Sequence, residues 1–180
     1  MSTFLYLQKN KNGGILMKQN VTKKLVRTAL VAAIYATLTL ILAPISYGAV
    51  QFRISEMLML LAFINPLYIT GLSLGCLIAN ILGGLGLLDI VFGTLATFLS
   101  ALAMYQTSKI IKNRNISLLV ASLWPTIFNA LIVGWVVSVS ASLPLFITMI
   151  QVGFGELVVI TIVGVPVFKL LEKTKLKEIL

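Results

Sequence analysis

The sequence predicts an all-α polytopic membrane protein, a bundle of six transmembrane helices with both termini in the cytoplasm. Three observations predict it. The 180 residues are 59% hydrophobic and only 11% charged, and mean hydropathy is +1.04, against roughly 25% charged residues in ordinary soluble domains. Long apolar runs alternate with short polar breaks. The basic residues fall into three clusters between those runs, as expected of cytoplasmic loops: Lys18/Lys23/Lys24/Arg27, Lys109/Lys112/Arg114 and Lys169/Lys173/Lys175/Lys177.

Residues 1–17, with Lys9, Lys11 and the Gly13-Gly14 pair, read as a flexible tail ahead of a single membrane domain over 18–180, and Met17 is an alternative start. A cleaved signal peptide is the competing reading of the first apolar run. That run is about as long as a full span (~20 residues) and no small-residue cleavage site closes it, so it is read as an uncleaved span. Span one covers 25–43 and stops at Pro44. Spans four, five and six cover 87–105, 117–139 and 144–170.

The stretch 54–83 is ambiguous. At about 1.5 Å per residue it would make one helix of about 45 Å, too long for a hydrocarbon core of about 30 Å, yet it is short for two full spans. Charge parity decides. With all basic clusters on one side, the chain crosses an even number of times between the first and second, so 54–83 is read as two short helices turning at Asn65-Pro66.

Small residues at four-residue spacing mark close helix contacts in lipid: Ala29/Ala33 and Ala32/Ala36 on span one, and Gly71/Gly75 on span three. The glycine pair is read as packing inside the bundle. The alanine stripe could serve there or dock another protein.

Several function classes fall away. The +9 net charge lies in loops and not on a face interleaved with aromatics, against nucleic-acid binding. With no histidine, the chain lacks the dyads of most hydrolases and a common metal ligand, so no enzyme activity, cofactor or metal is expected. The single cysteine, Cys76, reads as a small packing residue.

Away from the basic clusters, Arg53, Glu56, Asp89 and Glu156 are charged and Asn80, Asn129 and Gln151 are amides, all within or beside apolar runs. Such groups inside a membrane face the bundle interior, pair, or line a substrate path. The topology places them together as a pocket open to the outer side. Bland alternatives stand beside this: Arg53 and Glu56 as an interfacial ion pair, Asp89 as a helix N-cap, and Asn80 and Asn129 as interhelical hydrogen bonds. Glu156, between Gly153/Gly155 and a long apolar run, fits a buried partner or a ligand best.

These strings carry a family resemblance. Ala43–Gly48 (APISYG), Gln51–Glu56 (QFRISE), Gly75–Asn80 (GCLIAN), Gly83–Asp89 (GGLGLLD), Phe128–Gly134 (FNALIVG) and Gln151–Glu156 (QVGFGE) resemble the QueT family, from about Lys18 to Glu172. The resemblance implies a substrate-capture (S) component of an energy-coupling-factor (ECF) transporter for queuosine precursors, a multi-pass protein of the bacterial plasma membrane. It would bind a 7-deazaguanine near the outer face under a lid formed by the loop after span one. It further implies a scaffold (T) component docking on Ala29, Ala32, Ala33 and Ala36, and two cytoplasmic ATPases as the power source. The chain itself has no G-x-x-x-x-G-K-[ST] phosphate loop. In that setting Glu156 would accept from the ring's N–H edge, Gln151 and Asn129 would supply amides, and Glu56 or Asp89 would meet an aminomethyl cation. Tyr47, Phe52 or Trp135 could stack on the ring or serve as lid and interface anchors. A self-sufficient proton-coupled transporter, with Glu56, Asp89 and Glu156 as proton carriers, is the alternative.

Overall fold

The computed structural model describes residues 2–48 and 50–173, with side chains from Val21 onward. Among the described residues the chain is all helical. Helix α1 (Ser2–Ile41) is followed by a one-turn helix α2 (Ala43–Ser46) and an irregular loop to Arg53. A 3₁₀ stretch (Ile54–Met59) leads into α3 (Leu60–Ile64), and α4 spans Leu67–Gly83. A π-helical stretch (Asp89–Gly93) opens α5 (Thr94–Ile110). Helix α6 (Arg114–Phe128) continues through a second π stretch (Asn129–Val133) into α7 (Gly134–Ala141). Helix α8 (Leu145–Glu156) continues through a third (Leu157–Gly164) into α9 (Val165–Lys173). Residues 2–17, expected as a flexible tail, belong to the N-terminal part of α1, and Lys175 and Lys177 of the third basic cluster lie outside the described residues.

Among the described residues, four helices are long and apolar enough to cross a membrane: Val21–Ile41, Asp89–Ile110, Arg114–Ala141 and Leu145–Lys173. Two apolar helices are shorter, Ile54–Ile64 and Leu67–Gly83. The break between these two falls at Asn65-Pro66: Asn65 is extended, its side chain accepts from the Leu67 amide at 3.0 Å, and Pro66 opens α4. Proline cannot donate to the preceding turn and pushes its predecessor out of helical geometry, so a continuous helix ends there. With 3₁₀ and α rises of about 2.0 and 1.5 Å per residue, Ile54–Ile64 reaches only about 20 Å, short of a hydrocarbon core of about 30 Å.

Helices α1 and α4 pack in parallel, in close register. A Cβ on Gly71 would stand 2.8 Å from the Thr28 carbonyl, one on Gly75 would stand 2.8 Å from the Ala32 carbonyl, and the Tyr47 hydroxyl donates to the Ala79 carbonyl at 2.7 Å. Any side chain at the two glycines would push the helices apart. The small-residue motifs of the two helices are therefore partly each other's partners. Ala32 is buried in this contact and Ala36 is buried beside it, whereas Ala29 and Ala33, on the adjoining flank of the same stripe, remain exposed. Of the four alanines expected to dock a partner, two are thus committed inside the bundle.

Parallel packing requires the chain between α1 and α4 to return to its starting end. The return is made by the loop and Ile54–Ile64. The α3–α4 turn lies with the α5–α6 loop, because the Arg114 guanidinium sits 5.5 Å over the Phe63 ring. Arg114 also pairs with Glu172 of α9. The basic residues Lys109, Lys112, Arg114, Lys169 and Lys173 accordingly belong to one end, beside the Gly71 end of α4.

The core is a contiguous cluster around Tyr35, Met59, Leu60, Tyr68, Leu72, Met104, Leu118 and Ile160, all essentially inaccessible, whereas Leu25, Ile41, Leu82, Phe146, Ile150 and Ile162 face outward. Apolar side chains on both the inside and the outside are what a lipid-facing bundle requires.

Candidate polar ligand site

Toward the other end, polar side chains converge inside the bundle, several of them delivered by breaks in regular structure. After Ser46 the chain leaves helical geometry, and Gln51 adopts a left-handed conformation (φ 50°) although only 3% exposed. Its amide donates to the Gly48 carbonyl at 3.1 Å and its carbonyl accepts from the Arg53 amide at 2.8 Å. Gly155 of α8 permits this: a Cβ there would collide with the Val50 carbonyl and approach the Gln51 carbonyl. The loop therefore lies directly on α8, one residue from Glu156, and non-helical backbone at this depth is sheltered by protein.

Arg53, only 4% exposed, turns inward at the end of the loop, and the 3₁₀ stretch then sets Ser55 and Glu56 into the interior. The Tyr35 hydroxyl donates to Glu56 Oε1, the Thr39 hydroxyl bonds Ser55, and Thr39 Oγ1 also donates to the Tyr35 carbonyl at 2.9 Å. On α4, Asn80 Nδ2 donates to the Asp89 carbonyl at 3.1 Å and lies 3.4 Å from Cys76 Sγ. Thr97 Oγ1 lies 3.2 Å from the same sulfur and Arg53 Nη1 3.9 Å.

All three π stretches serve this cluster. Asp89 begins the first, Asn129 begins the second, and Glu156 immediately precedes the third. A π turn inserts an extra residue, shifts the helical face and recurs at functional sites. Here it turns the polar residue inward without ending a long apolar helix. Asn129 is a polar neighbour of Glu156, and Arg53 lies within electrostatic reach of Glu56, Asp89 and Glu156.

The defining feature is hydrogen-bonding capacity without a protein partner. Arg53 Nη2, Glu56 Oε2, Asn80 Oδ1, both Asp89 carboxyl oxygens, Asn129 Nδ2 and Glu156 Oε2 are buried and bond no other protein group among the described residues. Each such atom costs about 1–3 kcal/mol relative to a satisfied one, so a cluster is a strong signal of a polar guest. Three carboxyl groups share one guanidinium, so the cluster has unused acceptor capacity that suits several N–H donors or a positive charge.

The residues picked from sequence sort clearly. Arg53, Glu56, Asn80, Asp89, Asn129 and Glu156 come together in this interior. Gln151 is half-buried on α8, and its side chain makes no hydrogen bond among the described residues. Arg53 and Glu56 do not form the simple ion pair considered for them, because Glu56 is bound by Tyr35. Asp89 is not a helix cap, because the helix already begins at Leu87 and both carboxyl oxygens are unbonded. Asn80 does join helices, through the Asp89 carbonyl, and still keeps Oδ1 free. Tyr47 lies under Arg53, 5.3 Å from ring centroid to guanidinium, and Phe52 packs edge-on to Phe154 at 6.4 Å. Both close the loop over the cluster. Trp135 packs edge-on to Phe92 at 5.3 Å.

Sequence reasoning missed Tyr35, Thr39, Ser55 and Thr97, and read Cys76 as packing only. One signal was present: Thr28, Ala32, Tyr35 and Thr39 recur at four- and three-residue spacing, marking one interior face of α1.

A family-wide sequence profile described as QueT transporter matches residues 25–173. The queuosine precursor transporter QueT of Lactococcus lactis subsp. cremoris (strain MG1363) is 45% identical over 83 residues, which cover 45% of this chain and 48% of that protein. The aligned region is thus about half the length of that relative. No solved structure matches the chain. The profile covers most of the chain, including every member of the polar cluster, and on that evidence the chain belongs to the QueT transporter family.

Proposed function

We propose that this protein is the substrate-capture subunit of an ECF-type importer and binds a queuosine precursor, a 7-deazaguanine, in the polar cluster beneath the 47–53 loop. The observation that carries this reading is the set of buried carboxylate, amide and guanidinium atoms without protein partners. The guanine-like edge offers adjacent N–H donors that a carboxylate accepts in pairs, beside a carbonyl that needs donors. Glu156 takes the N–H edge with Asn129 beside it. Glu56 and Asp89 supply the charge that an aminomethyl group would meet, and Gln151 has the weakest structural claim of the expected contacts.

In this reading the bundle crosses the plasma membrane of a bacterium six times. The parallel register of α1 and α4 and the gathering of basic residues at one end support it, with that end in the cytoplasm together with both termini. Ile54–Ile64 is a partial descent completed by the buried loop before it. The exposed Ala29 and Ala33 offer a close-packing face to a scaffold subunit, and ATPases bound to that scaffold drive release.

The three buried carboxyl groups also favour a second reading, proton-coupled transport by this chain alone. Reconstitution separates the two. In liposomes containing only this protein, capture without uptake supports the first reading, and accumulation of a deazaguanine driven by a proton gradient establishes the second.

A further inference from the structure

The polar cluster is divided by chemistry. Glu56, Asp89 and Glu156 are acceptors, whereas three donors, Arg53, Asn80 and Thr97, converge on one atom, Cys76 Sγ, at 3.9, 3.4 and 3.2 Å. Sulfur is a weak acceptor. A guanidinium, an amide and a hydroxyl aimed at it inside a membrane protein have their weakest available partner. Cys76 is itself fully buried, Arg53 Nη2 beside it has no protein partner, and Asn80 Oδ1 is equally unbonded. Gly93 bounds the same space: a Cβ there would stand 2.7 Å from Asp89 Oδ1 and 2.8 Å from Asn80 Nδ2. Only glycine lets the Asp89 and Asn80 side chains close in this tightly on the backbone.

We propose that Arg53, Asn80 and Thr97, gathered around Cys76, form a distinct subsite that receives a carbonyl oxygen of a flat heterocycle, while the carboxyl groups receive its N–H edge. The sulfur holds the three donors in place until a harder acceptor takes them. This assigns Thr97 and Cys76 to ligand recognition, rests on the functional reading above, and orients the ring with its carbonyl toward α4 and α5.

The test pairs ligand and protein changes in the purified full chain. The ligands are preQ1 and its 6-thio analogue, which keeps the N–H groups and replaces the carbonyl oxygen with sulfur. The proteins are the wild type, Thr97→Val, Cys76→Ser and, as a control on the opposite half, Glu156→Gln. Wild type should prefer the oxo ligand about tenfold or more, the scale of one buried hydrogen bond to a charged or well-placed donor. Thr97→Val, nearly isosteric, should reduce that preference several-fold. Cys76→Ser, which gives the donors a competing oxygen, should do the same without creating a void. Glu156→Gln should weaken both ligands alike. Thermal unfolding of each variant identifies any that fails to fold, and the other variant then decides. An oxo/thio ratio unchanged from wild type in both folded variants overturns the subsite alone. Failure of the wild type to bind either ligand overturns the functional reading, and the subsite with it.

Discussion

The two ends of the bundle carry the same kinds of side chain and treat them in opposite ways. At the α5–α6 end, Lys109, Lys112 and Arg114 stand exposed on ordinary helix termini, and Arg114 pairs with Glu172 and covers the Phe63 ring. At the other, Arg53, Glu56, Asp89 and Glu156 are buried on or next to 3₁₀ and π-helical backbone, with oxygens and nitrogens that bond no other protein group among the described residues. Water or headgroups solvate the first set, so its arrangement is cheap and loosely specified. The second set is tolerable only if the protein gains a ligand by it, because buried polar atoms without partners destabilise the fold. Charge in this molecule is thus solvent-accessible at one end and buried without protein partners at the other, the division on which the proposed function rests.

The largest effect that would break this contrast is expected at Gly155. Gly155→Val forces a side chain into the Val50 and Gln51 carbonyls, so the 47–53 loop must leave α8. Ligand binding should be abolished, with thermal stability lowered by a few kcal/mol in the range typical of overpacking. A titration and a melting curve check both.

Next comes Glu156→Gln, which keeps the shape and exchanges an acceptor for a donor beside Asn129. Deazaguanine affinity should fall about a hundredfold, since a charge-assisted pair contributes roughly 1.5–3 kcal/mol and its loss sets an amide hydrogen against the ligand's own N–H. Equal affinity in wild type and variant would remove Glu156 from the contacts.

Tyr35→Phe sharpens the contrast within the polar end. It removes the hydroxyl that bonds Glu56 Oε1, leaving that oxygen unpaired. Stability should fall by about 1–3 kcal/mol in the absence of ligand, with part of the loss recovered at saturating ligand. Denaturation with and without ligand measures it.

The smallest effect belongs to the opposite end. Arg114→Gln breaks an exposed pair with Glu172 and should cost at most about 1 kcal/mol, leaving ligand affinity unchanged. A loss of binding here comparable to that at Glu156 would show that the two ends are not independent.

How much of this was readable beforehand follows from the same contrast. Glu56, Asp89 and Glu156 announced themselves because a carboxylate in an apolar run is costly and therefore conspicuous, and Asn65-Pro66 announced the α3–α4 break because that pair favours a turn, whereas Pro125 sits inside α6 without ending it. Tyr35, Thr39 and Thr97 did not, since hydroxyl side chains bond their own helix and are unremarkable in lipid; Thr39 does bond the Tyr35 carbonyl. Cys76 was hidden by its ordinary preference for the core. The π stretches have no composition of their own. They arise from packing between helices, and one of them begins at Asn129, which is buried beside Glu156. The alanine stripe was ambiguous for a related reason: spacing reveals a close-packing face, but only the position of Gly71 and Gly75 tells which alanines are covered from within.

The most direct test of the central claim is an equilibrium titration of the purified full chain with preQ1, preQ0, queuine and guanine. Saturable binding of at least one 7-deazaguanine at one site per chain is expected, weakened about a hundredfold in Glu156→Gln and unchanged in Arg114→Gln. Absence of saturable binding to all four, or affinity that is unchanged in Glu156→Gln and lost in Arg114→Gln, would contradict that claim.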